Sequence, residues 1–309
     1  LQLALEEIND KNVFIIPRDT QINNKDKLNE AIKDIKSQGV NIIIGPISNK
    51  DFEEVKKYNG ITFISPSNIS PDFESNIISI GVSLESQLLT LNKFLKNQKK
   101  NRTVIMFPEN EYSDFIREKI KKINFNNVKI FTYSSNPEIL TGEIEILTNY
   151  AQRKKNLELR KKIFEDKEDE ESIKQLEKLE QLYTIGGVNF DSVIIVDFGN
   201  SLKSVLTSLV YTDVSQDEVL FTTVNQWFDE SIFYENTIRN LYFPSINYNE
   251  FKKFKRKYFK KYNNYPTEIA ILTYDALGLI YYAWKKNGNI SSVNDFLFEN
   301  KIQGKIGTF

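Results

Sequence analysis

The chain has 309 residues, 41 basic against 42 acidic side chains, a formal charge of -1 and 40% hydrophobic content. That length and balance fit one large or two ordinary globular domains, and exclude a small stapled scaffold and a globally basic nucleic-acid binder. Histidine and cysteine both number zero, which excludes thiol nucleophiles, Ser/His/Asp triads, histidine bases and imidazole or thiolate zinc sites. There is no Gly-x-x-x-x-Gly-Lys loop, dinucleotide fingerprint or EF-hand calcium loop, so no cofactor or metal is expected and the chain is read as a non-enzyme. A carboxylate-only or lysine-based site is what catalysis would require. The longest apolar runs, such as Val193 to Val196 and Ala276 to Ala283, fall well short of the roughly 20 residues that cross a bilayer.

In chain order, Leu1 to Asn9 reads as a helix with Leu1, Leu5 and Ile8 on one face, and starts without Met, signal or lipidation motif, so a preceding segment is expected. Val13 to Ile16 reads as a short strand, Lys25 to Ser37 as a helix (Leu28, Ala31, Ile32, Ile35) stopped by Gly39, and Val40 to Ile44 as the next strand. A helix near Lys50 to Tyr58, strands Ile61 to Ile64 and Ile77 to Ile80, and a helix Leu84 to Lys96 follow. A second series runs from strand Thr103 to Phe107 through helix Tyr112 to Ile123, strand Val128 to Thr132, a helix from Ile139, strand Ser192 to Asp197, helix Leu202 to Tyr211 and strand Glu218 to Thr222. Continuous apolar strands between amphipathic helices require parallel sheets covered on both faces. The expected class is α/β, two doubly wound, mainly parallel sheet lobes with a cleft between them. Residues 1–81 and 240–301 would form lobe one, and 82–239 and 302–309 lobe two, with a helical insert at 150–183.

Ligands of such sheets bind beyond the carboxyl ends of the strands. Those positions hold Gly45-Pro46-Ile47-Ser48, Ser65-Pro66-Ser67, Pro108-Glu109-Asn110-Glu111-Tyr112-Ser113, Asp197-Phe198-Gly199 and Asn225-Gln226-Trp227. Small hydroxyls and backbone amides at helix starts suit carboxylates or other anions, and Tyr112, Phe198 and Trp227 suit apolar walls. Helix capping by Ser48, Ser67 and Ser113 explains the same serines without a ligand.

Gly45-Pro46 with Ser48, Ile64-Ser65-Pro66-Ser67, Tyr112 at a helix start and Ala270 to Ala276 together resemble type I periplasmic binding proteins, the fold of branched-chain amino-acid receptors, over essentially the whole chain. The stretch from a charged insert through Thr184-Ile185-Gly186-Gly187-Val188-Asn189-Phe190-Asp191 to Gln226-Trp227 is similar, within that fold, to the penicillin-binding protein activator lipoproteins. The transport branch implies that Ser48 and Ser65 to Ser67 hold the α-carboxylate and α-amino group of an amino acid, with Tyr112 and the Asp197 loop closing from lobe two. Glu111 and Asp197 are the candidate acidic partners for an ammonium group. The first strand and its turn, which in that fold line the cleft, would lie before Leu1. The activator branch implies a periplasmic protein-binding module that stimulates a peptidoglycan synthase, usually from an outer-membrane lipid anchor upstream. The partner is then a penicillin-binding protein; in the transport branch it is an ABC importer permease and the ligand a small polar molecule or amino acid. No nucleic-acid partner is expected, and membrane contact only through the anchor.

Residues Tyr150 to Leu182 concentrate charge of both signs, with Leu157, Ile163, Phe164, Ile173, Leu176 and Leu179 as a thin apolar stripe. The Asp166 to Glu171 cluster is expected to break this into a helical hairpin, either a solvated arm or a docking surface. Phe251 to Tyr262 carries seven Lys or Arg and no acid; its spacing predicts a helix with rings turned to the core and charges to solvent, with an anionic partner as the functional reading. The last helix, Thr267 to Lys286, is expected to start with Pro266 in its first position, to end before Gly288 and to sit centrally in lobe one through Ile269, Leu272, Ala276, Leu277, Ile280 and Trp284. Together these features point to a regulatory periplasmic binding-protein-like domain, with an importer's solute receptor as the alternative.

Overall fold

A computed structural model describes residues 1–21, 24–69, 71, 76–226, 238–245 and 248–287. Residues 302–309, assigned above to lobe two, and the Gly288 stop lie outside them. The chain divides into two compact units, Leu1–Leu84 with the described residues from Ser245 on, and Glu85–Pro244.

The first unit is built on a parallel sheet of β1 (Ile42–Ile44), β2 (Thr62–Ser65) and β3 (Ile77–Ser79), in that order. Helix α1 (Gln2–Ile8) precedes α2 (Lys25–Ser37), whose Leu28, Ala31, Ile32 and Ile35 are buried. The Asn24 side chain caps α2 by accepting from the Lys27 amide, and Gly39, at φ +79, ends it in a conformation that costs glycine little. Leu28 and Ile32 pack with Phe52 and Val55 of α3 (Phe52–Val55), which follows a 3₁₀ turn Asn49–Asp51, and with Ile61, Phe63 and Ile77 of the sheet. Val13 to Ile16 forms no strand. Its backbone finds no ladder partner among the described residues and Phe14 is 80% exposed; an extended segment without a neighbour has nothing to stabilise it as a strand.

Helices α10 (Tyr248–Tyr262) and α11 (Glu268–Asn287) complete this unit. Along α11, Ile271, Leu272, Asp275, Ala276, Leu277, Leu279 and Ala283 are buried, and of the residues expected on its wide apolar face Ile269 stays exposed. The helix begins two residues after Pro266, because the Thr267 hydroxyl accepts from the Ala270 amide and takes the capping role. Of the four α10 rings whose helical spacing places them toward the core, Phe251 and Phe254 are buried and Tyr258 is half-buried, but Tyr262 is exposed, and Tyr248 and Phe259 also stand exposed beside lysines. The separation of rings from charges therefore holds for only part of the helix.

The second unit carries a four-stranded parallel sheet in the order β5-β4-β6-β7: β4 (Thr103–Pro108), β5 (Val128–Tyr133), β6 (Ser192–Ile195) and β7 (Leu220–Thr223). Central β4 and β6 are buried at every residue, as strands covered on both faces must be. The helices are α4 (Leu84–Asn97), α5 (Ser113–Lys122), α6 (Pro137–Leu147) and α9 (Gly199–Tyr211). Val104, Met106, Val193, Ile195 and Phe221 of the sheet meet Leu140 and Ile144 of α6 and Leu202, Val205, Leu206 and Leu209 of α9 in one core.

The charged insert is a helical hairpin, α7 (Tyr150–Glu165) and α8 (Glu170–Glu180). The acidic cluster breaks it where the charge pattern predicts, since Asp169 accepts from both the Ser172 amide and hydroxyl and starts α8. Leu157 and Leu179 are buried, while Leu159, Ile163 and Ile173 are exposed by about half. Arg153 ties α7 to the unit: its guanidinium donates to the carbonyls of Gly186 (2.7 Å), Thr212 (2.9 Å) and Asp213 (2.7 Å).

Candidate functional site

The residues singled out beyond the strand ends fall into two groups, one in each unit. In the first unit, β1 ends in Gly45-Pro46, with Gly45 at φ +137 and its amide donating to the Ile64 carbonyl at 2.8 Å. A side chain at that φ would strain the backbone, so the turn that brings Pro46 beside β2 depends on glycine. The Ser65 hydroxyl then donates to the Pro46 carbonyl at 2.5 Å and accepts from the Ser67 amide. The Ser67 hydroxyl is held between the amide and the carbonyl of Ile69. Both serines and Pro66 are buried. Ser48 caps the following 3₁₀ turn through the Lys50 amide, so of the three serines capping explains this one alone.

Two residues absent from the sequence reading complete this corner. The Ser79 hydroxyl donates to the Ile69 carbonyl at 3.0 Å, and the Gly81 amide to the Ser67 carbonyl at 3.0 Å. A Cβ on Gly81 would lie 2.3 Å from that carbonyl oxygen, so the loop after β3 closes on the Ser67 loop only with glycine there.

In the second unit the strand ends converge further. After β4, the Ser113 hydroxyl donates to the Pro108 carbonyl and accepts from the Asn110 amide, and the Asn110 side chain accepts from the Tyr112 amide. Ser113 is thereby buried and is the first residue of α5, while Glu111 and Tyr112 remain exposed, Tyr112 by 61%. Beside them Glu109 pairs with Arg117 at 2.6 Å, and that guanidinium holds the Glu109 carboxyl below the ordinary range.

After β6, Asp197 is buried and fully engaged. One carboxylate oxygen accepts from the Phe198 amide at 2.8 Å; the other accepts from the Tyr133 hydroxyl and the Ser201 hydroxyl, each at 2.6 Å. Tyr133 is the last residue of β5 and is 1% exposed; burial, and then the Asp197 charge, push its ionisation far above the usual phenol range. Gln226, beyond β7, donates to the carbonyls of Asp197 and Val224, and its own side-chain oxygen is buried without a partner. Phe198 precedes Gly199 at the start of α9 and is 59% exposed. Trp227 lies outside the described residues. Tyr133 and Ser201 are absent from the sequence expectations, because the expected β5 strand ends at Thr132 and Ser201 falls between the Asp197-Phe198-Gly199 turn and the helix expected from Leu202; the position directly after the expected β5 strand is Tyr133.

Within each unit the geometry brings Pro46, Ser65 and Ser67 together, and likewise Tyr133, Asp197, Ser201 and Gln226. The described cavities lie elsewhere, about 570 Å³ beside Asn29, Glu54 and Tyr58, and about 340 Å³ at the root of the hairpin beside Arg153, Thr184 and Asp213. Among the described residues no cluster of acidic side chains is arranged to hold a metal ion, and no helix is long and apolar enough to cross a membrane. What the two corners offer chemically is a set of neutral hydrogen-bonding groups, one carboxylate already held by three neutral donors, and the exposed rings of Tyr112 and Phe198.

No protein-family model matches the chain and no curated protein matches it in sequence. Solved structures match in fold. An ABC transporter substrate-binding protein from Desulfitobacterium hafniense, in complex with Leu, aligns with a TM-score of 0.57 at 16% identity, over 99% of this chain and 85% of that one. A branched-chain amino acid ABC transporter periplasmic ligand-binding protein from Burkholderia xenovorans LB400 gives 0.58 at 11% identity, over 99% and 78%. The C-domain of LpoA (YraM) from Haemophilus influenzae, a regulator of PBP1A, gives 0.61 at 11% identity, over 99% and 85%. At these identities the likeness is one of fold: the chain has the α/β, parallel-sheet fold of type I periplasmic binding proteins, the class its sequence resembles.

Proposed function

We propose that this chain is a non-enzymatic, periplasmic binding-protein-like domain that regulates a peptidoglycan synthase of the penicillin-binding protein type through protein contacts. In this reading a lipid anchor lies upstream and fixes the domain to the outer membrane. The observation that carries it is the internal engagement of the strand-end polar groups. A receptor for an α-amino acid needs free hydroxyls for a carboxylate and an acid with accessible, unoccupied oxygens for the ammonium group. Here Ser65, Ser67 and Ser113 each both donate to and accept from backbone groups, Ser65 across to the Pro46 carbonyl and the other two within their own loops. Asp197 already accepts from three donors.

The α7–α8 hairpin supports the same reading as a docking surface. Leu159 and Ile163 of α7 and Ile173 of α8 are exposed by about half, and the lysines around them keep such an arm soluble until a partner covers it. Charge pairs formed by those lysines at the rim of such an interface would make its strength fall with salt.

The second reading, a solute receptor working with an ABC importer permease, draws support from the buried, unpartnered side-chain oxygen of Gln226 and the exposed rings of Tyr112 and Phe198. In that reading Gly45, Pro46, Ser48, Ser65, Pro66, Ser67, Glu111, Tyr112, Ser113, Asp197, Phe198, Gly199, Gln226 and Trp227 form the ligand site.

A thermal-shift screen against amino acids, short peptides and muropeptides separates the two. A true ligand at 100 times its Kd adds about 2.7 kcal/mol of stability, a shift of a few degrees in a protein this size. The activator reading expects no shift with free amino acids, and binding of a purified peptidoglycan synthase that weakens when Leu159 and Ile163 become Glu. A clear shift with leucine, abolished by Ser65→Ala, sinks it.

A further inference from the structure

We propose that the solvent face of α10 is a binding surface for a carboxylate-bearing glycan strand, with Lys252, Arg256 and Lys260 as its cations and Phe259 and Tyr265 as its stacking platform. The seven basic residues of this helix form two ladders at i, i+4, i+8 spacing, plus Lys255. Lys253, Lys257 and Lys261 make up the first, and each has an acid: Lys253 meets Glu250 at 2.6 Å, and Lys257 and Lys261 pair with Glu7 and Glu6 of α1. That ladder docks α1 onto α10 and accounts for its own charge. Lys252, Arg256 and Lys260 make up the second. They are exposed and have no acidic partner among the described residues. Three cations on one face over about 12 Å of helix repel one another, so folding alone gives no reason to keep them there.

The rings on that face favour a particular partner. Tyr248 (54% exposed) lies one turn before Lys252, whose ammonium sits 5.9 Å from its ring centre. Phe259 (40%) and Tyr265 (60%) stack with centroids 4.9 Å apart and planes 30° from parallel, and the Lys255 ammonium lies 4.8 Å from the Tyr265 ring. A pair of exposed rings flanked by cations suits the apolar C–H face of a pyranose whose substituents carry carboxylates. An anionic membrane surface fits less well: the apolar side of α10, Phe251 and Phe254, is buried in the unit and unavailable for insertion, and the exposed face has no aliphatic side chain. The identity of the glycan as cell-wall peptidoglycan rests on the periplasmic reading above.

The test is co-sedimentation of the whole chain with purified Gram-negative sacculi, in the absence of any synthase. The wild type should pellet with sacculi in low salt and be released in high salt. The variant K252Q/R256Q/K260Q should bind at least about tenfold more weakly, with an unchanged melting temperature, and F259A/Y265A should also lose binding. Sacculi whose carboxyls have been amidated should fail to bind the wild type, which tests the charge without altering the protein's fold. Binding that survives the triple substitution or amidation overturns the proposal. So does retention by phosphatidylglycerol vesicles or oligo(dT) with none by sacculi. Synthase binding is scored separately, so loss of one activity leaves the other reading standing.

Discussion

The Tyr133 hydroxyl donates to Asp197 at 2.6 Å across the carboxyl ends of β5 and β6, and both groups are buried. This bond, with those from Ser201 and the Phe198 amide, makes Asp197 a structural fastener of the strand ends. Tyr133→Phe should therefore cost about 1–2 kcal/mol, because the carboxylate keeps two donors. Asp197→Ala should cost about 2–3 kcal/mol, since it leaves the buried Tyr133 hydroxyl without an acceptor. Urea unfolding of the three proteins measures both. An Asp197→Ala variant as stable as the wild type would show that the carboxylate is held for a ligand and not for the fold.

The alternation of apolar runs with amphipathic helices made the parallel α/β class readable, because burial on both faces writes a continuous hydrophobic run into each central strand, as in Val193 to Val196. The hairpin break was readable from local chemistry, Asp169 being a strong cap wherever it starts a helix. Val13 to Ile16 misled because strand propensity is a property of one segment and a strand needs two. At the strand ends, serine as cap and serine as ligand donor look identical in sequence. What separates them is where the second hydrogen bond goes, and for Ser65 it goes to Pro46, 19 residues away. The two lysine ladders of α10 were likewise indistinguishable by spacing; only the position of Glu6 and Glu7 tells one from the other.

Gly81 is expected to tolerate no side chain. A Cβ would stand 2.3 Å from the Ser67 carbonyl oxygen and 2.6 Å from the Asn68 nitrogen, both backbone atoms that cannot rotate away. Gly81→Ala should destabilise the first unit by about 2 kcal/mol or more. Hydrogen exchange should locate the loss at β3 and the Ser65–Ser67 loop. A variant with wild-type stability and exchange would mean that these loops part easily and that the Ser67 corner is not fixed.

Arg153 is the cation most deeply committed to the fold. Its three carbonyl acceptors belong to two segments, Gly186 in the loop before β6 and Thr212 and Asp213 just past α9. Burial lowers its pKa from the ordinary guanidinium value, with the Asp213 charge opposing that shift. Arg153→Ala should cost about 2–3 kcal/mol, as three carbonyls, the Thr212 one buried, lose charge-assisted bonds. Arg153→Lys should recover only part of this, because an ammonium cannot reproduce the planar fork. Amide exchange in α7 should accelerate in both variants, by a larger factor in Arg153→Ala.

Asp10, just past α1, binds α11: its carboxylate accepts from Lys285 at 2.8 Å and from the Tyr281 hydroxyl at 3.2 Å, and takes the Asn12 amide at 3.0 Å. The Lys285 hydrogen bond chiefly, then the Asn12 amide, bring its pKa from the usual 3.8 to about 2. A carboxyl whose pKa is lower in the folded chain stabilises the fold fully above the unfolded value, and loses that contribution as pH falls through the folded one. The window is therefore from about pH 4 down to about pH 2. At neutral pH, Asp10→Asn should melt below the wild type. As pH falls through this window the two melting temperatures should converge, since protonation removes from the wild type what the substitution has already removed. Parallel curves with a constant gap would show that Asp10 acts through shape alone and that its charge does nothing to hold α1 on α11.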